Sequence, residues 1–159
     1  MRGASAVRVE IGAADAMRAH ALETYPDECC GALVLDGEGK QHVLRMRNIQ
    51  NEMNARDPER FPRTARTAYS PDPADFKAAV DRWESPGYRL AAFYHSHPDH
   101  DAYFSDEDVH QATAAFGEPA YPDALQIVIS VYGEEIRVIK AFAWSADEET
   151  FVQTPIEVD

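Results

Sequence analysis

Cysteine is nearly missing from this chain of 159 residues, which has only Cys29 and Cys30, side by side. Adjacent cysteines suit neither a disulfide framework nor the spaced pairs of a structural zinc site. They read as two small buried thiols. Basic residues are scarce too, 15 against 28 acidic ones, for a formal net charge of −13. That charge repels phosphate backbones and anionic lipid at long range, so nucleic acid and membrane surfaces are not expected partners. No apolar run reaches the ~18 residues needed to cross a bilayer, and Met1 to Val7 has no apolar signal-peptide core, so the expected compartment is the cytoplasm. Internal repeats and low-complexity tracts are also lacking.

What is present is the composition of a folded protein, 45% apolar and 27% charged. At this length the default is a single domain over residues 1–159, large enough for a core without disulfide staples. A strand is expected over Val7–Ile11 and a helix from about Ala13 to Thr24, closed by Pro26. Gly31–Leu35 and His42–Met46 flank the turn signal Asp36-Gly37-Glu38-Gly39 and read as a hairpin. From Asn48 to Pro71 the chain is polar, with Arg56, Arg60, Arg63 and Arg66 and no sustained period. It reads as a long surface loop and a first candidate for substrate contact.

Asp72 followed by Pro73 signals a helix start, which places Phe76, Ala79, Val80 and Trp83 on one face. After the break at Pro86-Gly87, Tyr88–Tyr94 reads as a buried strand leading into His95. A helix over Ser105–Phe116 and strands at Leu125–Tyr132, Ile136–Trp144 and Phe151–Ile156 complete the pattern. Mixed helices and strands without strict βαβ alternation give an α/β or α+β class built on one mixed sheet.

The informative stretch runs from His95 to Asp108. Residues two apart on a strand point the same way, so His95 and His97 can turn both imidazoles to one point. Asp108, in the first turn of the next helix, can add a carboxylate. Two nitrogens and one oxygen suit zinc, and a catalytic zinc site keeps its fourth position for water. Each part also has a plain reading. His-x-His is common on surfaces, Ser105 to Asp108 fits a helix capping box, His100 and His110 fit solvated side chains, and Glu28 alone is an ordinary carboxylate near a helix end.

Together, Glu28-Cys29-Cys30-Gly31, His95-Ser96-His97-Pro98 and Ser105-x-x-Asp108 resemble the JAMM (MPN+) family of zinc isopeptidases. Seven residues, Pro98 to Phe104, separate His97 from Ser105, as in that family's motif. Further likeness lies in Arg47-Asn48, in Tyr69-Ser70-Pro71-Asp72-Pro73 and in Ala120-Tyr121-Pro122. The resemblance spans roughly Val7 to Trp144. It implies a cytidine-deaminase-like three-layer fold, a central mixed sheet flanked by helices, with one Zn2+ per chain held by His95, His97 and Asp108. The implied catalytic residues are Glu28, as proton carrier for the attacking water, and Ser105, as hydroxyl donor to the tetrahedral oxyanion. Cys29 and Cys30 need no catalytic part. The deaminase pattern of His-x-Glu with Pro-Cys-x-x-Cys is missing, which rejects base deamination.

Val109 to Leu125 is too short, and too poor in cysteine, for the insertions of ubiquitin-chain-cleaving members. The compact form resembles the prokaryotic branch, whose members cut after the C-terminal Gly-Gly of ubiquitin-like and sulfur-carrier proteins. The implied partner is therefore a carrier of that kind, its extended tail adding to an exposed sheet edge beside the site. A broader zinc metallopeptidase and a non-catalytic interaction module of the same fold stand as alternatives.

Overall fold

The computed structural model describes residues 6–113 and 117–159. The elements follow in the order β1 (Val7–Val9), α1 (Ile11–Thr24), β2 (Cys30–Leu35), β3 (Gln41–Met46), α2 (Gln50–Arg56), α3 (Pro73–Trp83), β4 (Arg89–Pro98), α4 (Asp106–Thr113), β5 (Leu125–Tyr132), β6 (Glu135–Ser145), β7 (Thr150–Thr154) and β8 (Ile156–Val158). Six strands form one mixed sheet in the order β3-β2-β4-β5-β6-β7. Within this sheet only the β4–β5 pair is parallel. Parallel neighbours need a crossover, and α4 lies on it.

Strand alternation sorts the side chains into two layers. Ala92 and Tyr94 of β4, with Ile127, Ile129 and Val131 of β5, pack under Ala13, Ala14, Met17 and Ala21 of α1. On the other face Cys30, Ala32 and Val34 meet Ala79 and Trp83 of α3, while Val128 and Phe142 lie beneath Val109 and Ala112 of α4. The result is helix, sheet, helices, the expected three-layer α/β arrangement.

Several expected boundaries move for identifiable reasons. The α1 helix begins at Ile11 because the Ile11 amide donates to the Asp159 carbonyl at 2.6 Å, a partner remote in sequence. That leaves β1 only Val7–Val9, paired in parallel with β8 in a separate two-stranded sheet. The expected strand over Phe151–Ile156 is two strands, because Pro155 has no N–H to extend the β6 ladder. The hairpin and the Asp72 N-cap, whose carboxylate accepts from the Asp75 amide at 3.1 Å, are where the sequence puts them. The helix expected to run to Phe116 is described to Thr113, and residues 114–116 fall outside the described residues. Among the described residues, no helix is long and apolar enough to cross a membrane.

The segment from Asn48 to Pro71 is not the irregular loop expected. It contains α2 and is closed by a β-bridge between its two ends. Side-chain amides hold it in place of an apolar core. Asn48 caps Gln50 and Ser70, Gln50 donates to the Arg63 carbonyl, Asn51 accepts from the Ala65 amide, and Asn54 donates to the Phe61 carbonyl.

Candidate metal centre

His95 and His97 lie on the α3/α4 face near the C-terminal end of β4, and Asp108 comes from the first turn of α4. The two Nε2 atoms are 3.1 Å apart, and the Asp108 oxygens lie 3.2 Å from His95 Nε2 and 3.1 Å from His97 Nε2. All three side chains are buried. Among the described residues this is the group of His, Cys, Asp and Glu side chains that could hold a metal, its ligand atoms within 4.8 Å of one another.

The donor set fits a cation. The His97 Nδ1 atom sits 2.9 Å from the Asp101 carbonyl, which can only accept, so Nδ1 carries the proton and Nε2 turns its lone pair inward. A buried carboxylate facing an imidazole lone pair is favourable only when a positive charge, a proton or a metal ion, lies between them.

Glu28 precedes β2 and is fixed through its backbone. Its amide donates to the Ala65 carbonyl at 2.7 Å, and its carbonyl accepts from Asn48 Nδ2 at 2.9 Å. The side chain is 4% exposed, and its Oε1 has no hydrogen-bond partner. Burial, and then the charge of Asp108, raise this carboxyl well above its ordinary value, against the pull of Arg63. A buried acid with a free oxygen beside a ligand carboxylate is suited to hold and release a proton.

Ser105 stands immediately before α4 in a reciprocal cap. Its amide donates to Asp108 Oδ2 at 3.0 Å, and its Oγ accepts from the Asp108 amide at 3.1 Å. The hydroxyl proton is not used by that cap and remains for another acceptor. Cys29 and Cys30 are free and buried, and burial pushes the Cys29 thiol up to about 12. Both are poor nucleophiles at neutral pH.

The structure therefore brings His95, His97 and Asp108 to one place, with Ser105 bonded to Asp108 and the buried Glu28 carboxyl within reach of the Asp108 charge. His100 and His110 are exposed and lie outside the ligand group. Of the loop arginines, Arg63 turns back to the Thr67 carbonyl and Arg66 to Asp99, while Arg56 and Arg60 are exposed. The expected position at a sheet edge is corrected, since β4 is interior, flanked by β2 and β5.

Sequence reasoning gave no role to Tyr69, whose ring stacks on His95 at 4.7 Å, or to Tyr103, edge-on to His97 at 5.1 Å. Tyr69 also walls an apolar cavity of about 590 Å³ between α3 and α4, lined by Met46, Phe76, Val80, Phe93 and Tyr121. Gln126 lines it as well, and its buried Oε1 has no partner. Nothing local in the sequence marks the Tyr69 stack or the cavity, because each joins elements distant along the chain, while Tyr103 meets His97 through the turn that follows β4.

The fold is similar to solved structures over nearly the whole chain. A protein of Desulfitobacterium hafniense matches with a TM-score of 0.69 at 23% identity, covering 96% of this chain and 92% of that one. A protein of Salinibacter ruber matches with a TM-score of 0.61 at 25% identity, covering 96% and 91%. A JAB1/MPN domain protein from Archaeoglobus fulgidus matches with a TM-score of 0.53 at 14% identity, covering 96% and 100%. No curated protein matches at a comparable level. The sequence profile of the prokaryotic homologs of the JAB domain matches residues 11–147. With the fold, the ligand group and this match in agreement, the chain belongs to the family of prokaryotic homologs of the JAB domain.

Proposed function

We propose that the protein is a zinc-dependent peptidase that hydrolyses the bond after the C-terminal Gly-Gly of a ubiquitin-like or sulfur-carrier protein. The observation that carries the peptidase reading is the buried convergence of His95, His97 and Asp108 with the unpartnered Glu28 oxygen close by. His95, His97 and Asp108 would hold the zinc, which when bound polarises the scissile carbonyl and acidifies water. Glu28 takes a proton from the attacking water and returns it to the leaving amine as the C–N bond breaks. Its raised affinity for protons suits both halves of that transfer. Ser105, with its lone pair engaged by the Asp108 amide, donates its hydroxyl proton to the developing oxyanion.

The choice of tail rests on two features. Tyr69 and Tyr103 stand against the two imidazoles, so the approach is narrow, and glycine lets a backbone come close where a side chain would collide. The cavity beyond Tyr69 accommodates an apolar side chain upstream of the glycines. In the β4–β5 register Gln126 lies opposite Phe93, two residues before the level of His95, or about 7 Å along an extended chain. A tail residue three positions before the cut, the first one upstream of the glycines, reaches it, and an N–H of that tail can donate to Gln126 Oε1. Exposed Arg56 and Arg60 offer contacts to an acidic carrier body.

Incubating the zinc-loaded protein with carrier fusions bearing C-terminal extensions, read by intact mass, tests this reading. Cleavage after Gly-Gly is expected. Efficient cleavage of fusions with both glycines replaced by Val would favour a broad peptidase, and no cleavage of any fusion would remove the proposed substrate class.

A further inference from the structure

Glu28 and the metal ligands come from separate stretches of chain, and among the described residues no hydrogen bond holds Glu28 Oε1. Its placement must come from the backbone. One tie is direct: Cys29 donates to Ser96 Oγ at 2.8 Å, and the Ser96 amide donates to the Cys29 carbonyl at 3.1 Å, between the two histidines. That tie lies on the C-terminal side of Glu28, whereas the bonds of Glu28 itself run to Ala65 and Asn48, outside the strand that carries the histidines.

The second tie converges on Asp99. Tyr25, three residues before Glu28, donates its hydroxyl to both Asp99 oxygens, at 2.8 and 3.0 Å. Arg66 reaches the same carboxylate at 3.3 Å, and its neighbour Ala65 supplies the carbonyl that accepts the Glu28 amide. Asp99 is itself anchored two residues past His97. Its amide donates to the Val131 carbonyl at 2.7 Å, and its backbone is left-handed, φ 60°, a conformation that Asp tolerates better than most residues. Both partners of this carboxylate thus flank the anchors of Glu28, and the carboxylate stands on the strand end that carries the ligands.

We propose that Asp99 is a positioning residue, a latch whose bonds to Tyr25 and Arg66 fix Glu28 relative to His95 and His97. The part it plays in turnover rests on the reading of Glu28 as proton carrier, while the geometry it enforces does not. Tyr25→Phe removes one hydroxyl remote from the ligands. It should speed hydrogen exchange at the Glu28 amide about tenfold, the worth of one hydrogen bond to a charged group. Amides of Ile127 and Ile129 in the core should not change. Asp99→Ala should match or exceed that effect, and Asp99→Asn, which keeps an acceptor for Tyr25, should largely restore protection.

The double variant Tyr25→Phe/Asp99→Ala should be no worse than Asp99→Ala alone, because the two changes remove one shared contact. On a cleaved fusion substrate, kcat should fall with KM unchanged, and bound zinc should remain at the wild-type level. Unchanged exchange at Glu28 in both Tyr25→Phe and Asp99→Ala would overturn the latch. So would a rise that core amides share equally, which would mark a general loss of stability. If the wild-type protein cleaves no fusion, the proposed activity fails, and the exchange measurement still decides the latch.

Discussion

Gly31→Ala is the sharpest test of how the sheet supports the site. A Cβ at Gly31 would sit 2.5 Å from the Leu44 carbonyl oxygen and closer still to the Tyr94 ring. Neither neighbour can yield easily. Leu44 belongs to the β2–β3 ladder, in which Gly31 pairs with Arg45, and Tyr94 is 1% exposed with its hydroxyl 2.7 Å from His20 Nδ1. An added methyl in a rigid core costs about 1–3 kcal/mol, and with backbone on one side and a pinned ring on the other the upper end applies. Loss of glycine's unfolded-state entropy returns about 0.4–1 kcal/mol, which leaves roughly 2–3 kcal/mol of destabilisation. For a chain of this size that is a fall in Tm of about 5–10 °C, measurable by calorimetry or by urea titration with unchanged m. Tyr94 immediately precedes His95, so zinc affinity should weaken as well. A change in stability below about 0.5 kcal/mol would mean that the strand is not packed as described.

Glu28→Gln keeps size and shape but cannot carry a proton, so turnover should fall about 10²–10⁴-fold in a single-turnover assay, and near-native rates would require another base. Ser105→Ala should lower kcat about 10²-fold and stability by about 1 kcal/mol, because it removes both the oxyanion donor and the cap of α4; a loss of stability alone would leave the hydroxyl only its capping role. His20 gives a pH signature. Burial, with help from Arg45 and against Glu23, lowers its pKa to about 4 from 6.5 in the unfolded chain, so the folded state resists protonation. Stability should therefore decline as pH falls from about 6.5 toward 4, and His20→Gln should flatten that part of the urea-derived curve; equal slopes for the two proteins would contradict the assignment.

The sequence revealed most where the physics is local. Asp72-Pro73 starts a helix by itself, the turn at Asp36 closes a hairpin by itself, and alternation on one strand is enough to align His95 with His97. Ser105 and Asp108 reach the same point because their spacing closes a helix cap. Glu28 was legible only through likeness to a family, since its burial depends on Ala65 and Asn48, which come from elsewhere in the chain. The α2 helix was hidden for a similar reason. Gln50–Arg56 has no apolar stripe, and the amides of Asn48, Gln50, Asn51 and Asn54 hold its surroundings through partners no periodicity can indicate. Pairing of the chain ends in β1 and β8, the Tyr69 stack on His95 and the convergence of Tyr25 and Arg66 on Asp99 are likewise products of tertiary structure.

The metal carries the central claim, and its stoichiometry is the most direct measurement. Elemental analysis of the purified chain after zinc addition and removal of excess should give one zinc per chain, since one group of His95, His97 and Asp108 is available among the described residues. His97→Ala should lose that zinc, and Glu28→Gln should keep it. A wild-type chain that remains metal-free in the presence of zinc, or a His97→Ala variant that retains a full equivalent, would contradict the assignment of these residues as the metal centre.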